Sequence, residues 1–283
     1  MVEDAGILDE TFLKSWIGRH QVVEDTISAD LANRFAATFG GSPDFSFGET
    51  VPPLLHFCLA QPIAATQGLG DDGHPKRGEF LPPVPLPRRM WAAGRIEFSG
   101  DLHVGETVRR ISRIADVAVK AGRTGTLCFV TVDHVIEARG RTILTERQDI
   151  VYRGAEAGPP AKAPQPAPAG TYRETFDPSP VVLFRYSAVT FNGHRIHYDR
   201  PYATEAEGYP GLVVHGPLQA TLLINFASKI KGSRPTQFAF RSQSPLFDGR
   251  LMTLHAEEAD EKLKLWAAVE GGPVAMSAEA QWT

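Results

Sequence analysis

The chain has 283 residues, 42% apolar and 22% charged, enough for one large globular domain or two of ordinary size. A net charge of −4 and a pI near 6.1 leave no basic face for nucleic acid or an anionic membrane. No stretch approaches the ~20 apolar residues that span a bilayer.

The N-terminus, MVEDAGILDETFLKSW, is acidic and has no apolar core of the kind a secretory signal needs. The expected compartment is the cytoplasm, with the mitochondrial matrix as the other one the composition allows. Cys58 and Cys128 lie far apart in apolar runs and read as buried, inert thiols rather than as a disulfide or metal pair.

Along the chain, ATFGGSP (37–43) is followed by VPPLLHFCLAQPIAAT (51–66), whose apolar spacing predicts a long helix beginning near a proline. Residues 67–90, QGLGDDGHPKRGEFLPPVPLPRRM, are rich in Gly and Pro and predict an ordered loop closed by Arg88 and Arg89. Its GLGDDG follows no strand and is not a dinucleotide motif. Three alternating, β-branched runs then predict antiparallel strands over 96–120, 126–136 and 142–153. GAEAGPPAKAPQPAPAG (154–170) has five prolines and nothing for a core, as a stiff connector does.

The same order returns after it. VTFNGHR (189–195) echoes ATFGGSP, LVVHGPLQATLLINFAS (212–228) echoes the first apolar helix, and strands are expected over 238–258, 262–270 and 274–283. Gly105 and Gly249 fall at equivalent turns. The chain is an internal duplication: an N-terminal domain (1–153), a Pro/Ala-rich linker (154–176) and a C-terminal domain (177–283). Helix-then-strands units suggest an α+β fold in which a sheet wraps the helix, and the tandem arrangement supplies each unit with a partner.

The chemistry concentrates in FRYSAVTFNGHRIHYDRPYATEAEGYPGLVVHGPLQATLL (184–223), where three histidines, an asparagine and three arginines surround two glycine-marked turns. This segment resembles the signature of MaoC-type (R)-specific enoyl-CoA hydratases, S-G-D-x-N-P-[ILV]-H followed some 20 residues later by [IV]-H-G-M. With GEFLPPVPLPRRMWAAGRIEF and QDIVYR upstream, it is closer to the double hot-dog branch of mesaconyl-C4-CoA hydratases, itaconyl-CoA hydratases and type 2 hydroxyacyl-thioester dehydratases. The resemblance covers nearly the whole chain. It implies a tandem hot-dog of two antiparallel sheets, each wrapping a long central helix. The implied partner is an acyl-CoA thioester, with no cofactor beyond the CoA of the substrate itself, and a homodimer is compatible with it.

Position by position, the resemblance puts His197 where the family has its catalytic histidine and Asn192 where it has an aspartate. His194-Arg195 replaces Asn-Pro. Val214-His215-Gly216 matches the start of the hot-dog helix and makes the Gly216 N–H the expected oxyanion donor. A neutral imidazole suits removal of a proton from water. Backbone N–H groups at a helix N-terminus suit charge growing on a thioester oxygen. An amide at 192 can orient water but cannot take a proton, so either His197 works alone or His194 or Asp199 assists. Asp199 also reads as an N-cap ahead of Pro201.

In the first half the corresponding positions are Gly40, Ser42 and Phe45, so that half is expected to shape the acyl pocket without chemistry. Arg185, Tyr186, His194, Arg195, His215 and Arg89 are the candidates for substrate binding, and the crowd of cations favours a dicarboxylic acyl group such as mesaconyl or itaconyl, hydrated to citramalyl-CoA. A 3-hydroxyacyl-thioester dehydratase of fatty-acid metabolism would use the same residues in the opposite direction. A hot-dog thioesterase is disfavoured by a helix without Asp or Glu, and a dead acyl-CoA-binding module is a third reading. His74, His103, His134 and His255 lie apart in sequence, and no metal site is expected.

Overall fold

The computed structural model describes residues 8–122, 125–154 and 165–282. The first half contains α1 (Glu10–Lys14), β1 (His20–Thr26), α2 (Ala29–Thr38), β2 (Arg88–Phe98), β3 (Thr107–Gly122), β4 (Gly125–Ala138) and β5 (Arg141–Arg153). The second contains β6 (Tyr172–Phe176), α3 (Pro180–Val189), α4 (Gly216–Lys231), β7 (Gln237–Ser242), β8 (Met252–Ala259), β9 (Lys262–Val269) and β10 (Met276–Gln281).

All ten strands join in one antiparallel sheet of order β1-β3-β4-β5-β2-β7-β10-β9-β8-β6. Read outward from the β2–β7 seam, the order is a palindrome in which β2, β5, β4, β3 and β1 match β7, β10, β9, β8 and β6. The duplication is therefore written into the hydrogen bonding, and the seam is an ordinary ladder running from Ala93–Arg241 to Glu97–Gln237. Gly94 permits it, because a Cβ there would lie 2.5 Å from the Phe240 ring. Gly105 and Gly249 both take left-handed backbone, at φ +93° and +81°.

This is the tandem hot-dog arrangement, with two departures from the sequence reading. The expected helix over 51–66 is only a single 3-10 turn, Leu55–Cys58. Its apolar spacing is helical, but Pro52-Pro53 and Pro62 leave a short window, Gln61 is pre-proline, and Leu54 and Ala60 are left-handed at φ +64° and +52°. The sheet thus wraps one long helix, α4, whose buried Leu218, Leu222, Leu223 and Phe226 join Leu263, Leu265, Met276 and Ala278 in the main core. The second departure concerns the connector. Residues 155–164 lie outside the described residues, and Tyr172–Phe176, expected in the linker, form edge strand β6 against β8.

Long β3, β4 and β5 extend past the core and build a second one, where Val84 of the Gly/Pro-rich loop packs with Trp16, Val117, Val130 and Tyr152. Both cysteines are buried, and burial pushes both thiols up, Cys128 to about 11. Among the described residues no helix is long and apolar enough to cross a membrane.

Candidate active site

Helix α3 ends at Val189 and is capped by Thr190, whose hydroxyl donates to the Tyr186 carbonyl. Phe191 turns left-handed at φ +50°, and a tight loop leads to a 3-10 turn over Arg195–His197. Asn192 stabilises this loop locally, its Oδ1 accepting from the His194 N–H at 3.0 Å. The turn delivers His197 into the interior, only 7% exposed.

His197 Nδ1 lies 2.7 Å from the Val213 carbonyl oxygen. A carbonyl can only accept, so Nδ1 carries the proton and Nε2 presents a lone pair. Burial pushes this imidazole down to about 4, with the Val213 bond opposing, so it is neutral over the ordinary range.

Helix α4 begins at Gly216 with Pro217 in its first turn, and no side chain caps it. Gly216 and His197 line the same cavity, of about 920 Å³. A free N–H at a helix start and a base on one cavity supply the two functions an enolate-forming addition requires. His215, the residue before the helix, is fully buried and stacks on His197 with ring centroids 3.6 Å apart. Its Nε2 lies 2.8 Å from the Ser187 hydroxyl. Burial, with His197 and His194 adding to it, holds His215 far below the ordinary histidine value.

The Gly/Pro-rich loop of the first half closes over this turn. Its backbone carbonyls accept from Arg195: the Asp72 oxygen from the Arg195 N–H and the Asp71 oxygen from Nη1, both at 2.9 Å. Gly73 and Gly193 make the approach sterically feasible; a Cβ on Gly73 would sit 2.0 Å from the Gly193 oxygen. The loop thereby inserts His74 beside His194, with ring centroids 4.2 Å apart, while His194 meets His197 edge-on at 5.3 Å. His74 Nδ1 lies 2.9 Å from Asp72 Oδ2. Burial lowers His74, and Asp72 opposes this only in part. Burial would raise Asp72, but its bond to His74 outweighs that and keeps the carboxyl ionised. His194 is held strongly down by burial and by its two histidine neighbours.

Several sequence-based assignments change. Arg185 is exposed on α3 and does not line the cavity, because its helical position points away from the face carrying Tyr186. Arg195 is committed elsewhere: Nε and Nη2 bind Asp199 at 2.9 and 2.8 Å, and the guanidinium stacks over Tyr202. Tyr186 and His215 are fully buried yet line the cavity, with Tyr186 edge-on to His215 at 4.9 Å and His215 stacked on His197. Asp199 accepts from the Tyr202 N–H at 3.2 Å, the capping role expected of it.

His194 and Arg89 do line the cavity. Arg88 is paired with Glu207, but Arg89 has no carboxylate partner among the described residues. His74, set aside in the sequence with His103, His134 and His255, belongs to the site. Among the described residues Asp72, His74 and His194 bring ligand-type atoms within 4.8 Å of one another, though Asp72 and His74 use theirs on each other. Sequence reasoning also missed the buried Glu146, which accepts from Gln148 at 3.0 Å, has His56 Nε2 at 3.3 Å and lines the first-half end of the cavity. The one available signal for His74 was the Asp-Asp-Gly-His wording between glycines.

Residues 54–248 match the model of the hydroxyacyl-thioester dehydratase type 2 family. The chain is 45% identical to the mesaconyl-C(4)-CoA hydratase of Chloroflexus aurantiacus, over 94% of this chain and 96% of that one. It is 26% identical to the mitochondrial hydroxyacyl-thioester dehydratase type 2 of Schizosaccharomyces pombe, over 70% of this chain and 75% of that one. A MaoC-like dehydratase from Phytophthora capsici has the same fold, with a TM-score of 0.70 at 18% identity over 97% and 99% of the two chains.

Proposed function

Because the chain belongs to the hydroxyacyl-thioester dehydratase type 2 family, we propose that it is a hydro-lyase that adds water to, or removes it from, an acyl-CoA thioester. The substrate class we assign is a C5 dicarboxylic enoyl-CoA, mesaconyl-C4-CoA or itaconyl-CoA, giving citramalyl-CoA. The observation that carries this reading is the meeting, in one cavity, of a neutral imidazole with a bare Nε2 and the uncapped start of α4.

His197 Nε2 takes a proton from water as the oxygen attacks the β-carbon. The Gly216 N–H stabilises charge on the thioester oxygen, a contribution of about 3–4 kcal/mol for one such donor. Asn192, its Oδ1 held by His194 N–H, orients the water through its amide. His194 and Arg89, which has no carboxylate partner among the described residues, read the acyl carboxylate. The first half shapes the acyl pocket and carries no part of the Asn192–His197 turn. CoA arrives as part of the substrate, and no other cofactor enters these steps.

The first half has no long helix among its described residues, and the cavity of about 920 Å³ on that side favours a second reading, a dehydratase of longer 3-hydroxyacyl thioesters. Hydrolysis has no support in α4, which contains no Asp or Glu. The test is loss or gain of the enoyl-thioester absorbance with crotonyl-, mesaconyl-C4-, itaconyl- and 3-hydroxydecanoyl-CoA. The dicarboxylic substrates should turn over fastest. A preference for 3-hydroxydecanoyl-CoA would select the second reading, and no reaction with any of the four would overturn both.

A further inference from the structure

The carboxylate absent at position 192 has a counterpart brought in by the other half of the chain. Asp72 and His74 reproduce the device that fixes His197: an acceptor takes the Nδ1–H, and Nε2 has no protein partner among the described residues. Asp72 also accepts the His74 backbone N–H, at 2.9 Å, so the pair is held as one unit. The unit cannot swing freely, because the Asp72 carbonyl is bonded to Arg195 N and Gly73 abuts Gly193. His194 stands between the two imidazoles, in ring contact with both.

We propose that His74, positioned by Asp72, is the second acid/base group of the site and exchanges protons with the α-carbon while His197 serves the water. In hydration, His197 Nε2 takes a proton from water as the oxygen–β-carbon bond forms. The pair of the double bond moves to the α-carbon, which takes the Nε2 proton of His74, a ring that enters the step as imidazolium once the anionic substrate is bound. The proton on His197 then returns to His74 through His194, so enzyme and proton count are restored. Elimination is the reverse. This inference rests on the hydro-lyase reading.

The charges around His74 fit an anionic substrate. Asp72 favours the imidazolium, Arg77 and Arg89 oppose it, and burial opposes it most. Neutral His194 completes the surroundings. An acyl carboxylate entering beside Arg89 shifts this balance towards the protonated ring.

The test uses the full-length enzyme with its best enoyl-CoA. H74Q should lower kcat at least about 100-fold, the usual range for a positioned acid or base, with KM within threefold and an unchanged melting curve. It should also remove the alkaline limb of the hydration pH profile and abolish exchange of the α-hydrogen of the product with deuterated water. D72N withdraws the charge that favours imidazolium, so the alkaline limb should move to lower pH, and D72E should move it back.

A kcat within threefold of wild type in H74Q, or a raised KM with both pH limbs intact, overturns the proposal. So does loss of activity in EDTA with recovery on adding a divalent cation, which would make the cluster a metal site. Failure of the wild-type enzyme to hydrate any enoyl-CoA would strike the underlying reading instead.

Discussion

The rings of His197 and His215 lie 3.6 Å apart with planes 19° from parallel. Two imidazolium ions could not share that spacing in a dry interior, so at most one ring of the pair can be cationic. His215 thus keeps water from the back of His197 and holds it neutral. H215A should destabilise the fold by roughly 2–5 kcal/mol and move the acid limb of kcat/KM upward from about 4 towards the ordinary histidine range, as water reaches the ring. An unmoved limb in the pH profile would refute this role. H197Q, by contrast, should lose at least about 100-fold in kcat while melting normally.

Stability should fall on mild acidification. His74, His194, His197 and His215 are all lowered by burial. Below the unfolded value of about 6.5 the unfolded chain binds protons that the folded chain refuses, so stability rises with pH there. For His197 the window runs from about 6.5 down to about 4. Each histidine contributes up to about 1.4 kcal/mol per pH unit. Chemical denaturation at pH 7.5, 6.5 and 5.5 checks this: both steps should lower stability, and the second should cost clearly more than the first. Equal stability at 6.5 and 5.5 would contradict the buried neutral set.

Gly73 is required twice, for its φ of +85° and for the absence of a Cβ against the Gly193 oxygen. G73A should cost about 1–2 kcal/mol in backbone strain alone. It should also lift the loop from Arg195 and so reduce activity far more than that loss of stability explains. Protease nicking between residues 68 and 78 and steady-state kinetics would measure the two effects; wild-type kinetics would exclude this docking.

Arg89 and Arg195 should part company. R89A removes a cavity cation that has no carboxylate partner among the described residues and should weaken mesaconyl-C4-CoA at least about tenfold more than crotonyl-CoA. R195A breaks the Asp199 pair and the Nη1 bond to the Asp71 carbonyl, and should depress both substrates alike. The ratios of kcat/KM for the two substrates decide it, and a selective loss in R195A would reverse the assignment.

The duplication, the start of α4 at Gly216 and the delivery of His197 were legible because they rest on local wording: repeated strand patterns, a proline in a first turn, a turn between glycines. The docking of 67–90 was visible only as a loop. Its registration comes from main-chain bonds such as Asp72 O to Arg195 N, which any residue could supply and no pattern records. That is why His74 stayed unassigned. The segment 51–66 misled for the opposite reason, since its apolar residues keep helical spacing while left-handed Leu54 and Ala60 forbid the helix. Arg195 looked like a ligand for substrate, yet Asp199, four residues on, had already claimed it.

The mirrored strand order has a consequence for stoichiometry. A pair of identical subunits meeting at such a seam would be bound by symmetry to keep two equal clefts, and any change that widened one would blunt the other. Covalent joining lifts that bond: one copy could surrender its helix to make room while its sibling kept the histidine turn and the helix start. A tight-binding acyl-CoA analogue should accordingly saturate at a single equivalent per polypeptide, however many polypeptides assemble.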